Sequence, residues 1–462
     1  MTEAGAATDA LLAFATKTTV ADLPAPMRAW AAQAVMDTIG VAIGGRDAAG
    51  IVEARGLVRA WGGKPEATLW GSRDRVPSPH AVLVNASASR ALDFDDVFDA
   101  IPFHPSAYLV PAAVAAGELA GGGSGADLVA AVAVGAEVMI RLALGRGPTD
   151  PDAARVPLSR VLGPTVAAAR MLGLDVARTR HALGLAFCLS AGELQSYEDG
   201  ALSIRLQQGF VAEAALRAVC LAAAGITGPW NFLEGRRGLA RADGIADASA
   251  VVDGLGEVFH AVETDMKPYP CCRCSHPAIA AALRLRAAHS LAVEAIAAVR
   301  VTVAPKTAAI VVEPRAVRFA PATVPVAQFS LPYAVAAALA TGEVGLAAFS
   351  AEGLRDPVTR GLIGRMQVDV DEALGTRAAG MIAPARVEVA LASGVRVGVE
   401  ATPETCREDL AGGGAERKFR SCMAAGGRGS VTERALGVLA HLEDRADAVS
   451  SLVSIMAGEG SC

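Results

Sequence analysis

Ala29-Trp-Ala-Ala-Gln-Ala-Val-Met-Asp-Thr-Ile-Gly-Val-Ala-Ile43 repeats apolar residues at helical spacing and stops at Gly44-Gly45. The same period recurs over 81–93, 108–120, 127–144, 163–172 and 209–224, so residues from about 8 to 225 read as one helix after another. Ser124 or Asp127 can open a helix after Gly121-Gly-Gly, and Gly173 and Gly225 stand where C-terminal caps belong. Frequent alanine on these faces permits close helix–helix approach. Near residue 265 the period changes. Ile296-Ala-Ala-Val-Arg-Val-Thr-Val303 and Ala385-Arg-Val-Glu-Val-Ala-Leu391 alternate with the two-residue period of half-buried strands. Gly394-Val-Arg-Val-Gly-Val-Glu400 alternates too, after a Ser393-Gly394 hairpin turn. Residues 276–288 and 331–340 read as helices between the strands, and 416–424 and 431–442 return to helix. These patterns predict a mainly α fold. A large all-helical domain is expected from 1–264 and 401–462, with a smaller α+β lid domain over 265–400.

Composition agrees with that division. A chain of 462 residues is long for one core. With 52% hydrophobic but only 4% aromatic residues, packing through Ala, Leu and Val in helices is favoured over an aromatic-rich sandwich. A formal charge of −6 gives no electrostatic drive toward nucleic acid or an anionic membrane. No stretch reaches about 18 uninterrupted apolar residues; the most apolar, 128–140, contains Glu137. The N-terminal Met1-Thr-Glu-Ala-Gly5 has no basic leader. Eight cysteines, three crowded at 271, 272 and 274, do not resemble a disulfide framework. The expectation is a cytoplasmic protein with no membrane or nucleic-acid partner, and no internal repeat is evident.

Against so apolar a background, two polar clusters mark where chemistry should be sought. The first is Arg90-Ala-Leu-Asp-Phe-Asp-Asp96 with His104-Pro-Ser106. Asp95-Asp96-x-x-Asp99 matches the DDxxD spacing by which helical isoprenoid synthases hold magnesium, but a second metal motif and an aromatic-lined pocket are missing. A solvated helix end is the plainer alternative for these aspartates. His104 has an imidazole suited to proton transfer at neutral pH, although a lone histidine is more often structural. The second cluster is Met266-Lys-Pro-Tyr-Pro-Cys-Cys-Arg-Cys-Ser-His276. Lys267 is one of only five lysines, against thirty-seven arginines, which suggests a role for a compact ammonium in binding a carboxylate or stabilising an enolate. Its bland reading is a surface loop charge. His276 is a second acid/base candidate. The spacing of Cys271, Cys272 and Cys274 is too tight for a zinc pair, so packing is the better explanation. Gly121-Gly-Gly-Ser-Gly125 lacks the Gly-Lys-Ser/Thr of a phosphate loop.

Asp37-Thr-Ile-Gly-Val-Ala-Ile-Gly44, Ala91-Leu-Asp-Phe-Asp-Asp96, His104-Pro-Ser106, Gly225-Ile-Thr-Gly-Pro229, Lys267-Pro-Tyr-Pro-Cys-Cys272, His276-Pro-Ala278 and Phe329-Ser-Leu-Pro-Tyr333 occur in this order. Together they resemble the MmgE/PrpD family, which includes 2-methylcitrate dehydratase, cis-aconitate decarboxylase and iminodisuccinate epimerase. The resemblance implies a helical domain with an α+β lid, a homodimer, and chemistry on a small polycarboxylate with neither cofactor nor metal. It carries active-site roles to Asp93, His104, Lys267 and His276, and a binding role to Tyr333. Departures are equally visible. Arg90 stands where the family usually has histidine, and Val156-Pro157-Leu158 replaces Phe-His-Pro. Ile204-Arg205-Leu206-Gln207 replaces Lys-Arg-Leu-His. Arg90, Arg160, Arg205 and Gln207 therefore join Tyr333 as substrate-binding candidates, since guanidinium binds carboxylates in a fixed fork. The implied activity is that of a dehydratase or decarboxylase with a changed substrate, with Asp93, His104 and Lys267 converging on one cleft. An isomerase or epimerase is the alternative. A non-catalytic metabolite-binding descendant and a magnesium-dependent isoprenoid synthase stand behind it.

Overall fold

The computed structural model describes residues 5–101, 103–147, 156–378 and 380–458. Residues 1–4, which carry most of the expectation about a leader, lie outside them. The fold is mainly α-helical. The chain divides into two compact units: Met1–Ala91, Phe103–Thr264 and Phe419–Cys462 form the first, and Leu92–Pro102 with Asp265–Lys418 the second.

The first unit is built on α1 (Ala25–Gly45), α2 (Ser78–Arg90), α3 (Pro105–Leu119), α4 (Gly125–Gly145), α5 (Leu162–Met171), α6 (Val176–Leu189) and α7 (Ser203–Ala223). Ser124 caps α4, its side chain accepting from the Asp127 amide. Helix α2 stops at Arg90 rather than running to 93, because Asp93 turns into a left-handed conformation. Helix α6 escaped the periodicity because an arginine occupies a core-facing position. Arg180 is buried, donates to Asp9 at 2.8 Å and lies 4.2 Å from the Trp230 ring centroid.

By length and composition α4 could cross a membrane, yet 89% of its most apolar window is buried inside the protein. Two buried charges sit within it, and both are satisfied. Arg141 Nε donates to Glu137 Oε1 at 2.7 Å, one turn away. The same guanidinium donates to the carbonyls of Val251, Asp253, Gly254 and Val258, while Glu137 accepts from the Ala261 amide. The helix thus clasps residues 251–261 by hydrogen bonds.

The second unit centres on four strands, β1 (Ile296–Val303), β2 (Met366–Val370), β3 (Ala385–Leu391) and β4 (Arg396–Ala401), in the order β2-β1-β3-β4. β1 pairs parallel with β2 and antiparallel with β3, so Val301 lies opposite both Val368 and Val387. Gly394, at φ 88°, makes the tight β3–β4 turn that a side chain would strain. The alternation had marked three of these strands. Five-residue β2 was missed, being too short for its period to stand out. Helices α8 (His276–His289) and α9 (Leu331–Thr341) share one core with the sheet, in which Ile279 and Leu285 join Val335, Leu339, Val299 and Val389. Residues 401–418 belong to this unit, as does the segment 92–102.

Arg141→Leu would strand Glu137 as a buried charge without its counter-ion. Urea titration should show a loss of about 3–5 kcal/mol of unfolding free energy. An unchanged midpoint and slope would contradict the clasp.

Candidate active site

The chain enters the second unit through a strained turn. Asp93 has φ 49°, a region that residues other than glycine seldom occupy. In this turn the Asp93 carbonyl and carboxylate both reach one cation. Lys267 Nζ donates to Asp93 O at 3.1 Å and to Oδ1 at 3.0 Å. Lys267 is only 1% exposed. An ammonium sealed from water persists only when paired and hydrogen-bonded, and Asp93 supplies both.

Lys267 is set by the loop after it. Pro268 and Pro270 restrict the backbone around Tyr269, whose hydroxyl donates to the Asp409 carboxylate. The Cys272 amide donates to Gln328 O at 2.8 Å, and a short turn over Arg273–Ser275 leads into α8 with Pro277 in its first turn. Cys271 and Cys274 are buried in the core, which supports packing over a metal role. Burial pushes the Cys271 thiol up.

His276, first residue of α8, is fully buried and packs edge-on to Tyr269 with ring centroids 5.0 Å apart. Its Nε2 lies 3.1 Å from the Cys271 carbonyl, which can only accept, so Nε2 carries the proton. Nδ1 has no hydrogen-bond partner among the described residues. Burial, with Arg273 and Lys267 nearby, holds the imidazole well below its ordinary pKa. His276 is therefore a neutral ring with a lone pair at Nδ1.

Asp99, the last aspartate of the first cluster, is held by an arginine. Asp99 Oδ2 accepts from Arg273 Nε and a terminal nitrogen at 3.2 and 3.0 Å, and that nitrogen also reaches Asp265 at 3.0 Å. Arg407 holds Asp265 from outside at 2.8 Å. Burial pushes the Asp99 carboxyl up to about 6, Arg273 opposing and Asp265 reinforcing the rise. The third carboxylate of the DDxxD spacing is thus committed to an arginine. Among the described residues, no three His, Cys, Asp or Glu side chains gather as a metal-holding group.

Two groups were not anticipated. Lys418 is buried, donates to the Phe94 carbonyl at 2.6 Å and lies 4.2 Å from the Phe94 ring centroid. The rarity of lysine that singled out Lys267 applied equally to it. Arg273 had been quoted within the second cluster without a role. Tyr333, in contrast, lies in the core of the second unit with its hydroxyl donating to Ala348 O, and burial first of all pushes its phenol up to about 12.

The remaining candidates belong to the first unit. His104 stands just before α3, with Pro105 opening the helix, and Arg90 ends α2 as a buried residue. Arg205 donates to Ala49 O at 2.9 Å. Arg160 and Gln207 meet at 3.4 Å. The structure therefore joins Asp93 with Lys267, and Arg160 with Gln207.

The MmgE/PrpD N-terminal domain matches residues 9–246 and the MmgE/PrpD C-terminal domain residues 269–443. The chain belongs to the MmgE/PrpD family. Relatives include a cis-aconitate decarboxylase-like protein, oryM, of Aspergillus oryzae, 28% identical over 49% of each chain. Human cis-aconitate decarboxylase is 32% identical over 33% of each, and that of Aspergillus terreus 29% identical over 45% of each. The chain thus matches about half or less of the length of these relatives. Their names are those of lyases.

Breaking the buried pair from either side should be costly. Asp93→Asn and Lys267→Met should each destabilise by about 3–5 kcal/mol, with the double variant losing less than the sum. Additive losses in a urea double-mutant cycle would show that the two side chains are not coupled. Asp99 gives a pH signature. Its folded carboxyl, at about 6, lies above the ordinary value of 3.8, so the folded state holds the extra proton and the group's contribution to stability falls as pH rises between them. Carbon-13 titration of the Asp99 carboxyl should show a midpoint near 6, and one below 4 would overturn the assignment.

Proposed function

We propose that the chain is a cofactor-independent lyase, a dehydratase or decarboxylase, that acts on a small di- or tricarboxylate by moving a proton next to a carboxylate. The observation that carries this reading is the Lys267 ammonium, sealed from water and aimed by a carboxylate on a strained turn. A proton α to a carboxylate is acidic only when the enolate it leaves is stabilised. A fixed cation in a dry environment does this far better than one in water, because its charge is neither screened nor reoriented.

In this reading Lys267 stabilises the developing enolate, with Arg205 as a further carboxylate ligand. His104 is the principal proton donor or acceptor. Asp93 orients Lys267 and can shuttle protons. His276 is the second proton-transfer group, acting from its neutral form through Nδ1. Arg90 and Arg160 supply positive charge where the family's usual histidines and lysine are replaced, which favours a substrate different from those of the best-known members. The second unit serves as the lid domain and the protein works as a homodimer in the cytoplasm. The decarboxylase names of the relatives make cis-aconitate the first substrate to try.

Purified protein should be offered cis-aconitate, 2-methylcitrate and iminodisuccinate, with products followed for loss of water, loss of CO2 or inversion. Slow or absent turnover of all three, with brisk turnover of another di- or tricarboxylate, is expected. Brisk turnover of one of the three would show that the replaced residues are silent. Inversion without loss of gas or water would replace the lyase by an epimerase. His104→Ala and Lys267→Ala should each lower kcat by about 10²–10⁴-fold. Wild-type rates in either folded variant would refute the assignment.

A further inference from the structure

Buried arginines in the first unit come with partners. Arg141 has Glu137 and four carbonyls, and Arg180 has Asp9 and the Trp230 carbonyl. Arg160, like Arg55 beside the Trp70 carbonyl and the Ser72 hydroxyl, meets no carboxylate among the described residues. It is 8% exposed, and among the described residues its guanidinium meets neutral groups: the Tyr108 hydroxyl at 3.2 Å and Gln207 Oε1 at a long 3.4 Å. Its Nε has no hydrogen-bond partner among the described residues, and no described carboxylate forms an ion pair with it. The nearby Glu193 is engaged elsewhere, accepting from the Ser196 amide at 2.8 Å and from Gln207 Nε2 at 3.1 Å.

The same guanidinium lines a cavity of about 90 Å³, with Leu189, Ser190, Gly192, Gln207 and Phe210 among its walls. Arg160 is the only charged residue among the described residues lining it. Gly192 keeps the space open, because its φ of 138° suits glycine and a Cβ there would run into the guanidinium. At roughly 30 Å³ for each water, the cavity holds about three waters, close to the size of a carboxylate with its adjoining methylene. Burying a charge without a counter-charge is costly, and among the described residues the guanidinium is faced by two neutral acceptors and by the Tyr108 ring, its centroid 5.7 Å away.

We propose that this cavity is a carboxylate-binding site in which the ligand's carboxylate supplies the counter-charge to Arg160. The carboxylate meets Arg160 on the unpartnered Nε side, and its aliphatic neighbour packs against Leu189 and Phe210. Arg160 is thereby a specificity-determining residue of this chain. The inference deepens the proposed lyase function, on which the choice of a carboxylate ligand rests, while binding at Arg160 is read independently of turnover.

Calorimetric titration of the full chain with malonate, its neutral diamide malonamide, and inorganic phosphate tests the site. Malonate should bind and malonamide should not, and Arg160→Met should weaken malonate at least tenfold. Removing an uncompensated buried charge should leave the melting temperature of the ligand-free protein unchanged or raise it. Absence of malonate binding to the wild type, or equal affinity in Arg160→Met, would overturn the proposal. So would a lower melting temperature in both Arg160→Met and Arg160→Gln, which would show that Tyr108 and Gln207 already satisfy the guanidinium. Tighter binding of phosphate than malonate would overturn the carboxylate assignment. Failure to turn over any polycarboxylate while malonate binding stays Arg160-dependent would count against the lyase reading alone.

Discussion

A lysine ammonium removed from water must find its charge and hydrogen bonds within the protein, and in this chain one residue provides both. Asp93 can present its carbonyl and its carboxylate to Lys267 together because its backbone is left-handed. That conformation is unfavourable in isolation, by roughly 1–3 kcal/mol, and persists only where surrounding contacts over-determine it. The residues that follow supply those contacts. Lys418 takes the carbonyl of Phe94, and Arg273 takes the carboxylate of Asp99. Three cations from the segment 265–418 thus pin three points of a stretch that precedes them by more than 170 residues. This explains why 92–102 is part of the second unit although α2 and α3 on either side belong to the first.

The bias toward arginine has a structural counterpart. A planar guanidinium can satisfy several carbonyls at once while its charge stays delocalised, so it tolerates burial better than an ammonium. Arg141 and Arg180 use that property to tie chain segments to helices. Lysine is retained and buried at 267, where it donates to Asp93 O and Oδ1 at 3.1 and 3.0 Å, and at 418, where it donates to Phe94 O at 2.6 Å. A compact ammonium concentrates its charge at one point.

Much of this was legible in the sequence. Apolar periodicity marked α1 to α5 and α7, and alternation marked β1, β3 and β4, because in each case burial on one face decides the pattern. Two exceptions have separate causes. Arg180 replaces an apolar residue on the inner face of α6, and β2 is too short for its pairing with β1 to leave a signature. The rarity of lysine drew attention to Lys267, yet no local pattern could show that its partner is a carboxylate 174 residues away. Nor could spacing show that Tyr333 spends its hydroxyl on Ala348 O inside a core.

The protonation states around Lys267 follow from one rule applied to several groups. Low dielectric disfavours whichever form is charged. It holds His276 neutral by lowering its pKa, and it raises Asp99 to about 6 despite the arginine beside it. With His276 held neutral, the charges that remain are paired ones, Lys267 with Asp93 and Arg273 with Asp99. Lys267 is one of these. Its positive charge is balanced by a single carboxylate on a strained turn, so a second anion arriving at the ammonium would compete with Asp93 rather than with water. Any enolate formed there would meet a cation whose position is already fixed, with no solvent to reorganise, and that is the condition under which electrostatic stabilisation lowers a barrier most.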